Sequence, residues 1–225
     1  MRLPAVAAIV SCVLVAGCVK TGLAVAPKTD TAMIPRPLVA RELDGLLLSA
    51  QQIDDAMKAP AMAVVTTETS MSDDSTTLTP PECLALDGAA EAAVYSNTGF
   101  SAERGQSFND GDHFTHYLKQ AVVTYPVVEK ATAFLDHSAR QWQTCSQYTH
   151  LQSRSHWSVG PVAYANGMLS ALVTEQEAAA PGWACARALT VSNNVVIDVN
   201  TCSADPADSA VMAAQQIAAR VAATW

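Results

Sequence analysis

The sequence predicts an α+β domain, an antiparallel sheet packed against several helices and braced by two disulfides. Three observations carry this prediction: β-branched runs with period-two alternation, apolar residues at helical spacing near both ends of the domain, and an Asn-Asn pair set between two of the β runs. Only 6% of the residues are aromatic and alanine is abundant, which lets helices approach a sheet closely.

The elements follow in order. From Arg41 to Lys58, Leu43, Leu46, Leu47, Ile53 and Met57 recur at helical intervals interrupted by Gly45, so one or two short helices are expected. Ala61 to Thr69 is β-branched and reads as a strand, and Ser70 to Pro81, rich in Ser, Thr, Asp and Pro, as a loop. Leu84 to Tyr95 is alanine-rich and predicted helical. His113 to Tyr125 reads as a strand, and Pro126 suits the first turn of a helix running to about Trp142, with Val128, Ala131, Leu135 and Trp142 facing the core. Three or four further strands are expected between Tyr148 and Thr201. Asp205 and Pro206 supply an N-cap and a first-turn proline for a final helix striped by Val211, Ala214, Ala218, Val221 and Trp225.

Asn193-Asn194 can adopt the positive φ angles of a two-residue type I′ turn, which makes the flanking β runs a hairpin. That register pairs Ser192 with Val195 and, stepping outward, Cys185 with Cys202. The cysteine pair falls at a non-hydrogen-bonded position, where a Cα separation of about 4.5 Å accepts a disulfide. Cys83 and Cys145 are left to join each other, closing a loop of about 62 residues and stabilising the fold by roughly 4 kcal/mol on the loop-entropy model. No two of these four cysteines have the close spacing of a zinc site, and no metal is expected.

The first 17 residues read as a lipoprotein signal peptide. Met1-Arg2 is followed by an apolar run from Leu3 to Val15, then Val15-Ala16-Gly17-Cys18, small residues before a cysteine. The run is shorter than the roughly 20 residues needed to span hydrocarbon. Cleavage before Cys18 and attachment of diacylglycerol to its thiol, with palmitate-type acyl chains, would anchor the protein at the extracytoplasmic face of the cell membrane. Cys12 leaves with the signal, and an oxidising compartment suits the four remaining thiols. Residues 18–37, with Pro27, Pro35 and Pro37, read as a flexible tether, and 38–225 as one domain.

The formal net charge of −8, with scattered basic residues, excludes nucleic acid as a partner. No G-x-S-x-G or H-E-x-x-H pattern occurs, so the common hydrolase routes lack their markers and no catalytic residue or cofactor is assigned. His113 and His116 bring no third metal ligand, and the adjacent pairs Asp54-Asp55 and Asp73-Asp74 read as solvated positions. The strand expected after Cys145 alternates Tyr148, His150, Gln152, Arg154 and His156. On one sheet face, Tyr148, His150, Arg154 and His156 would line a ligand pocket, with Arg154 gripping an anionic group.

Several segments together resemble the mycobacterial PknH-like extracellular sensor domain: Leu46-Leu47-Leu48, Pro80-Pro81-Glu82-Cys83, Gln120-Ala121-Val122-Val123, Trp142-Gln143-Thr144-Cys145, and the run from Arg187 to Val199 followed by Cys202 and an Ala/Ile-rich helix. The resemblance extends over about residues 38–225. It implies an α+β domain with two disulfides and a ligand cleft, in a family found both on receptor serine/threonine kinases and as free-standing lipoproteins. The function expected is a noncatalytic ligand-binding or sensory lipoprotein of the cell envelope, taking an unidentified small-molecule, lipid or envelope ligand. The alternatives are an envelope enzyme with an unrecognised site and a protein-binding envelope adaptor.

Overall fold

The computed structural model describes residues 35–224. The signal peptide, Cys18, all but the last three tether residues and Trp225 lie outside the described residues. The chain begins with two 3-10 turns, Ala40–Glu42 and Asp44–Leu46, then α1 (Ala50–Met57), β1 (Ala63–Glu68), β2 (Leu78–Thr79), a third 3-10 turn (Pro81–Cys83), α2 (Leu84–Asp87) and α3 (Ala92–Tyr95). There follow β3 (Ala102–Asn109), β4 (Tyr117–Thr124), α4 (Val128–Trp142), β5 (Gln147–His150), β6 (His156–Val159), β7 (Ala163–Ala165), β8 (Met168–Gln176), β9 (Ala184–Ser192), β10 (Val195–Ser203) and α5 (Ser209–Ala222).

All ten strands join one sheet, in the order β1-β3-β4-β10-β9-β8-β6-β5-β2 with β7 on β8, and every strand pairing is antiparallel. Helices cover both faces. On one, Ala210, Ala213, Ala214, Ile217 and Val221 of α5 and Leu43, Leu48 and Ile53 of the N-terminal segment pack on Phe108, Leu118, Val122, Ile197 and Val199. The alanines bring α5 close to the strands, and each fully buried Leu, Ile or Phe contributes roughly 1.5–3 kcal/mol. On the other, Phe134, Leu135 and Trp142 of α4, with Leu84 and Leu86 of α2 and Tyr95 of α3, pack on Val123, Val196, Leu189, Leu169 and Val173.

The hairpin register is as expected: Ser192 pairs with Val195 and Cys185 with Cys202. The latter two form a disulfide with Cα atoms 4.0 Å apart. Cys83 and Cys145 form the second, at 5.2 Å, tying the start of α2 to the end of α4. The turn itself differs. Left-handed φ is confined to Asn193 (52°), while Asn194 turns its side chain inward. Its Oδ1 accepts from the Leu38 amide at 2.7 Å and its Nδ2 donates to the carbonyls of Leu38 (3.0 Å) and Tyr125 (2.6 Å).

Other expectations are corrected. The helix anticipated over 84–95 breaks into α2 and α3 at Gly88, because the Ala89-Ala90 turn bends down so that the Ala90 amide meets Asp198 on the sheet, 2.9 Å away. Helix α4 starts at Val128, which is exposed, while Ala131, Leu135 and Trp142 are buried. Helix α5 starts at Ser209 with Asp208 as N-cap, past Asp205 and Pro206, so its buried stripe shifts and Val211 and Ala218 are only half-buried. The strand expected from His113 begins at Tyr117. Six strands, not three or four, follow residue 146, and β3 had no counterpart in the sequence reading.

Candidate functional site

The register places Tyr117 and Lys119 of β4, Asn200 and Cys202 of β10, and Cys185 and Arg187 of β9 on the sheet face that carries α4. Beyond the end of α4 that face is polar. The α2–α3 segment forms a wall beside it, leaving a cleft of about 340 Å³ lined by Asp87, Glu91, Lys119, His150 and Asn200, with the Cys185–Cys202 disulfide among its walls.

A buried ion pair holds the wall. Asp198 Oδ1 accepts from Arg187 Nη2 at 2.7 Å, and Oδ2 accepts from the Ala90 amide and from the Tyr95 hydroxyl at 3.0 Å. Arg187 also donates to the carbonyls of Val199 (2.6 Å) and Ala85 (3.1 Å), and its guanidinium lies 5.3 Å from the Trp142 ring centroid. Burying two charges carries a desolvation cost of several kcal/mol that only dense hydrogen bonding offsets. Here those bonds fix the α2–α3 wall to the sheet. Asn200 adds another, from Nδ2 to the Asp87 carbonyl at 3.2 Å.

The lining groups are electrostatically unusual. Glu91 is 3% exposed and accepts from the Ser72 hydroxyl (3.2 Å) and the Asp74 amide (3.0 Å). Burial pushes its carboxyl up to about 7. Lys119 donates to Ser72 Oγ at 2.7 Å and lies 3.1 Å from Glu68 Oε2. His150 Nε2 lies 2.7 Å from Asp87 Oδ1, and that hydrogen bond raises the imidazole above its ordinary value. Next to Lys119, Glu103 is 2% exposed with neither oxygen hydrogen-bonded. Burial, then the nearby Glu68 carboxylate, push it up to about 7. Gly105 makes room for both acids, since a Cβ there would stand 2.6 Å from Glu103 Oε1 and 3.1 Å from Glu68 Oε2.

Aromatic rings flank the mouth. Phe114 is partly exposed, and its ring centroid lies 6.4 Å from that of Tyr117 and 6.2 Å from that of Trp183. Phe114 and Trp183 also line an adjoining, mostly apolar cavity of about 410 Å³ with Ala179, Ala180 and Glu175.

The four residues expected on one face do not share it. Instead of one strand, the chain reverses between β5 and β6. The turn is closed by Arg154 N–H donating to the His150 carbonyl (2.8 Å) and His150 N–H to the Ser155 carbonyl (3.0 Å). Tyr148 is 4% exposed and stacks on Trp157 at 6.0 Å. Arg154 sits exposed in the turn with φ 63°. His156 pairs with Thr149, one residue out of phase with Tyr148, and so points to the opposite face. Of the four, the structure brings His150 to the cleft.

Asp74, read as solvated, lines the cleft, whereas Asp54 staples a turn by accepting from the Met62 amide at 2.7 Å. Among the described residues no three metal-type side chains converge, and His116 is engaged by Asp110 at 2.8 Å. Asp87, Glu91, Lys119 and Asn200 were missed. The available signal was Asp198 and Asn200 at alternate positions of an otherwise apolar run, marking a polar stripe on a central strand.

Residues 38–220 match the family model described as the PknH-like extracellular domain. Serine/threonine-protein kinase PknH of Mycobacterium tuberculosis (strain CDC 1551 / Oshkosh) is 32% identical over 220 residues, which cover 96% of this chain and 34% of the kinase. PknH of Mycobacterium bovis is likewise 32% identical over 220 residues, covering 96% of this chain and 36% of that kinase. The chain thus spans about a third of the length of these kinases. The crystal structure of the extracellular domain of PknH from Mycobacterium tuberculosis aligns with a TM-score of 0.79 at 30% identity, covering 84% of this chain and 98% of that domain. Among the described residues no helix is long and apolar enough to cross a membrane. The chain belongs to the PknH-like extracellular domain family.

Proposed function

We propose that the protein is a noncatalytic sensory lipoprotein of the cell envelope, held by acyl chains on Cys18 and binding its ligand in the cleft between the α2–α3 wall and the sheet. The observation that carries this reading is the construction of the cleft: a buried Arg187–Asp198 pair fastens a wall over polar side chains that packing alone would not retain. Membership of an extracellular domain family supports an extracytoplasmic location. The kinase activity of the named relatives belongs to proteins about three times as long.

An enzymatic reading finds little support at the cleft. Ser72 lies 2.7 Å from Lys119, but Lys119 is ion-paired with Glu68 and donates to the hydroxyl instead of withdrawing its proton. The test is made on the full chain extracted from envelope membranes. Native mass spectrometry is expected to find a co-purified species that Phe114→Ala/Trp183→Ala loses, and Cys18→Ser is expected to move the protein from the membrane to the soluble fraction. A bound species retained by the aromatic double variant would refute the cleft, and membrane retention of Cys18→Ser would refute the anchor.

A further inference from the structure

The carboxyl groups in and beside the cleft outnumber the cations. Asp74, Asp87 and Glu91 line it, Glu68 and Glu103 adjoin Lys119, and Glu175 lines the adjoining cavity. Against them stand Lys119 and His150, each already matched: Lys119 with Glu68 at 3.1 Å, His150 with Asp87 at 2.7 Å. Asp74, Glu91, Glu103 and Glu175 form no salt bridge to a cationic side chain among the described residues.

Glu103 adds an independent sign. It is a nearly fully buried carboxyl whose two oxygens have no hydrogen-bond partner, leaning along β3 over Gly105. Gly105 pairs with Ala121, two residues along β4 from Lys119, so this acid is aimed at the lysine that lines the cleft. An orphaned buried carboxyl is costly unless something answers it. The aromatic mouth supplies the other half of the chemistry, because the Phe114 and Trp183 rings offer apolar surface on which the body of a ligand can rest.

We propose that the cleft binds an organic cation, an amine or quaternary ammonium with an apolar body, its charge facing Glu91 and Asp74 and its body lying against Phe114 and Trp183. This rests on the cleft being the ligand site. The acidic excess repels anions, and Arg154, the group a sequence reading would choose to hold one, stands outside on a turn. Affinity rises with pH across neutrality. Glu91 and Glu103 ionise over that range, favouring a cation, while Asp74, Asp87, Glu68, Glu175, Lys119, His150 and Arg104 are the other charged groups around them.

The full chain in detergent micelles is titrated with phenethylammonium, 2-phenylethanol and phenylacetate, three probes of one shape and different charge, followed by tryptophan fluorescence. Phenethylammonium is expected to bind about tenfold more tightly than the alcohol, with the acid weakest. Glu91→Gln, which keeps an acceptor for the Asp74 amide, and the exposed Asp74→Asn should each weaken the ammonium about fivefold and leave the alcohol unchanged. Arg154→Ala should change nothing. Equal binding of ammonium and alcohol, or tightest binding of phenylacetate, overturns the cation assignment while the cleft stands. Failure of all three probes to bind overturns both.

Discussion

Replacing Glu103 by glutamine should make the protein more resistant to unfolding at alkaline pH and leave it almost unchanged in acid. In the folded chain the carboxyl is buried without a hydrogen-bond partner and beside Glu68, which moves it from its ordinary 4.5 to about 7. The unfolded chain releases that proton at the lower pH, so between the two values the folded state holds more protons than the unfolded one. Stability therefore falls as pH rises from about 4.5 to about 7 and is flat beyond. A displacement of that size corresponds to about 3 kcal/mol at pH 8, a large share of a typical 5–15 kcal/mol total. Glutamine cannot ionise and is spared this loss. Urea unfolding with both disulfides intact, run at about pH 5 and about pH 8, reads the difference as a shift in midpoint at constant slope. The gain from Glu103→Gln should be below about 1 kcal/mol at the lower pH and about 3 kcal/mol at the higher. Parallel stability profiles for the two proteins would show that Glu103 ionises as freely when folded as when unfolded, and the account of the carboxyl pair over Gly105 would be wrong.

Two further outcomes follow from the packing. Asp198→Ala leaves the Arg187 guanidinium buried without its counter-charge and strips the Ala90 amide and Tyr95 hydroxyl of their acceptor, so it should cost about 3–5 kcal/mol in urea unfolding and speed hydrogen exchange at Ala90. A loss below about 1 kcal/mol would show that the wall is held by something else. Removing the Cys83–Cys145 bridge, with its sequence separation of 62, should destabilise by about 4 kcal/mol, against about 3 kcal/mol for Cys185–Cys202 with its separation of 17. The reverse order in paired Cys→Ser variants would contradict the loop-entropy reasoning.

The parts of the fold visible in the sequence are those set by short-range counting. Asn193-Asn194 fixes the β9–β10 register because side chains alternate strictly along each strand, and the Cys185–Cys202 disulfide follows from that register. The same counting misled at Tyr148–His156. Alternation is blind to a chain reversal, and Leu151-Gln152-Ser153-Arg154-Ser155 contains no glycine, proline or asparagine to announce one. Strand β3 escaped notice because Ala-Glu-Arg-Gly-Gln-Ser-Phe-Asn has only one large apolar residue, Phe108. Its polar positions are the ones that place Glu103 and Gly105 beside Lys119. The cleft could not be read locally, since Asp74, Asp87, Glu91, Lys119, His150 and Asn200 come from separate segments that only the sheet order assembles.

The clamp that Asn194 makes on Leu38 sets where the described chain joins the sheet. Asn193 reinforces it, donating from Nδ2 to the Arg36 carbonyl at 2.7 Å. This junction is at the turn end of the β9–β10 hairpin, while Cys185, Cys202 and the cleft are at its open end. Eight residue steps of extended strand lead from Asn194 to Cys202, a span of roughly 27 Å. The hairpin therefore works as a spacer bar with Arg36 and Leu38 bound at one tip and the cleft at the other. If the proposed anchor and cleft hold, changing the length of the segment before Leu38 would alter reach without touching a residue that lines the cleft, so reach and recognition could vary independently.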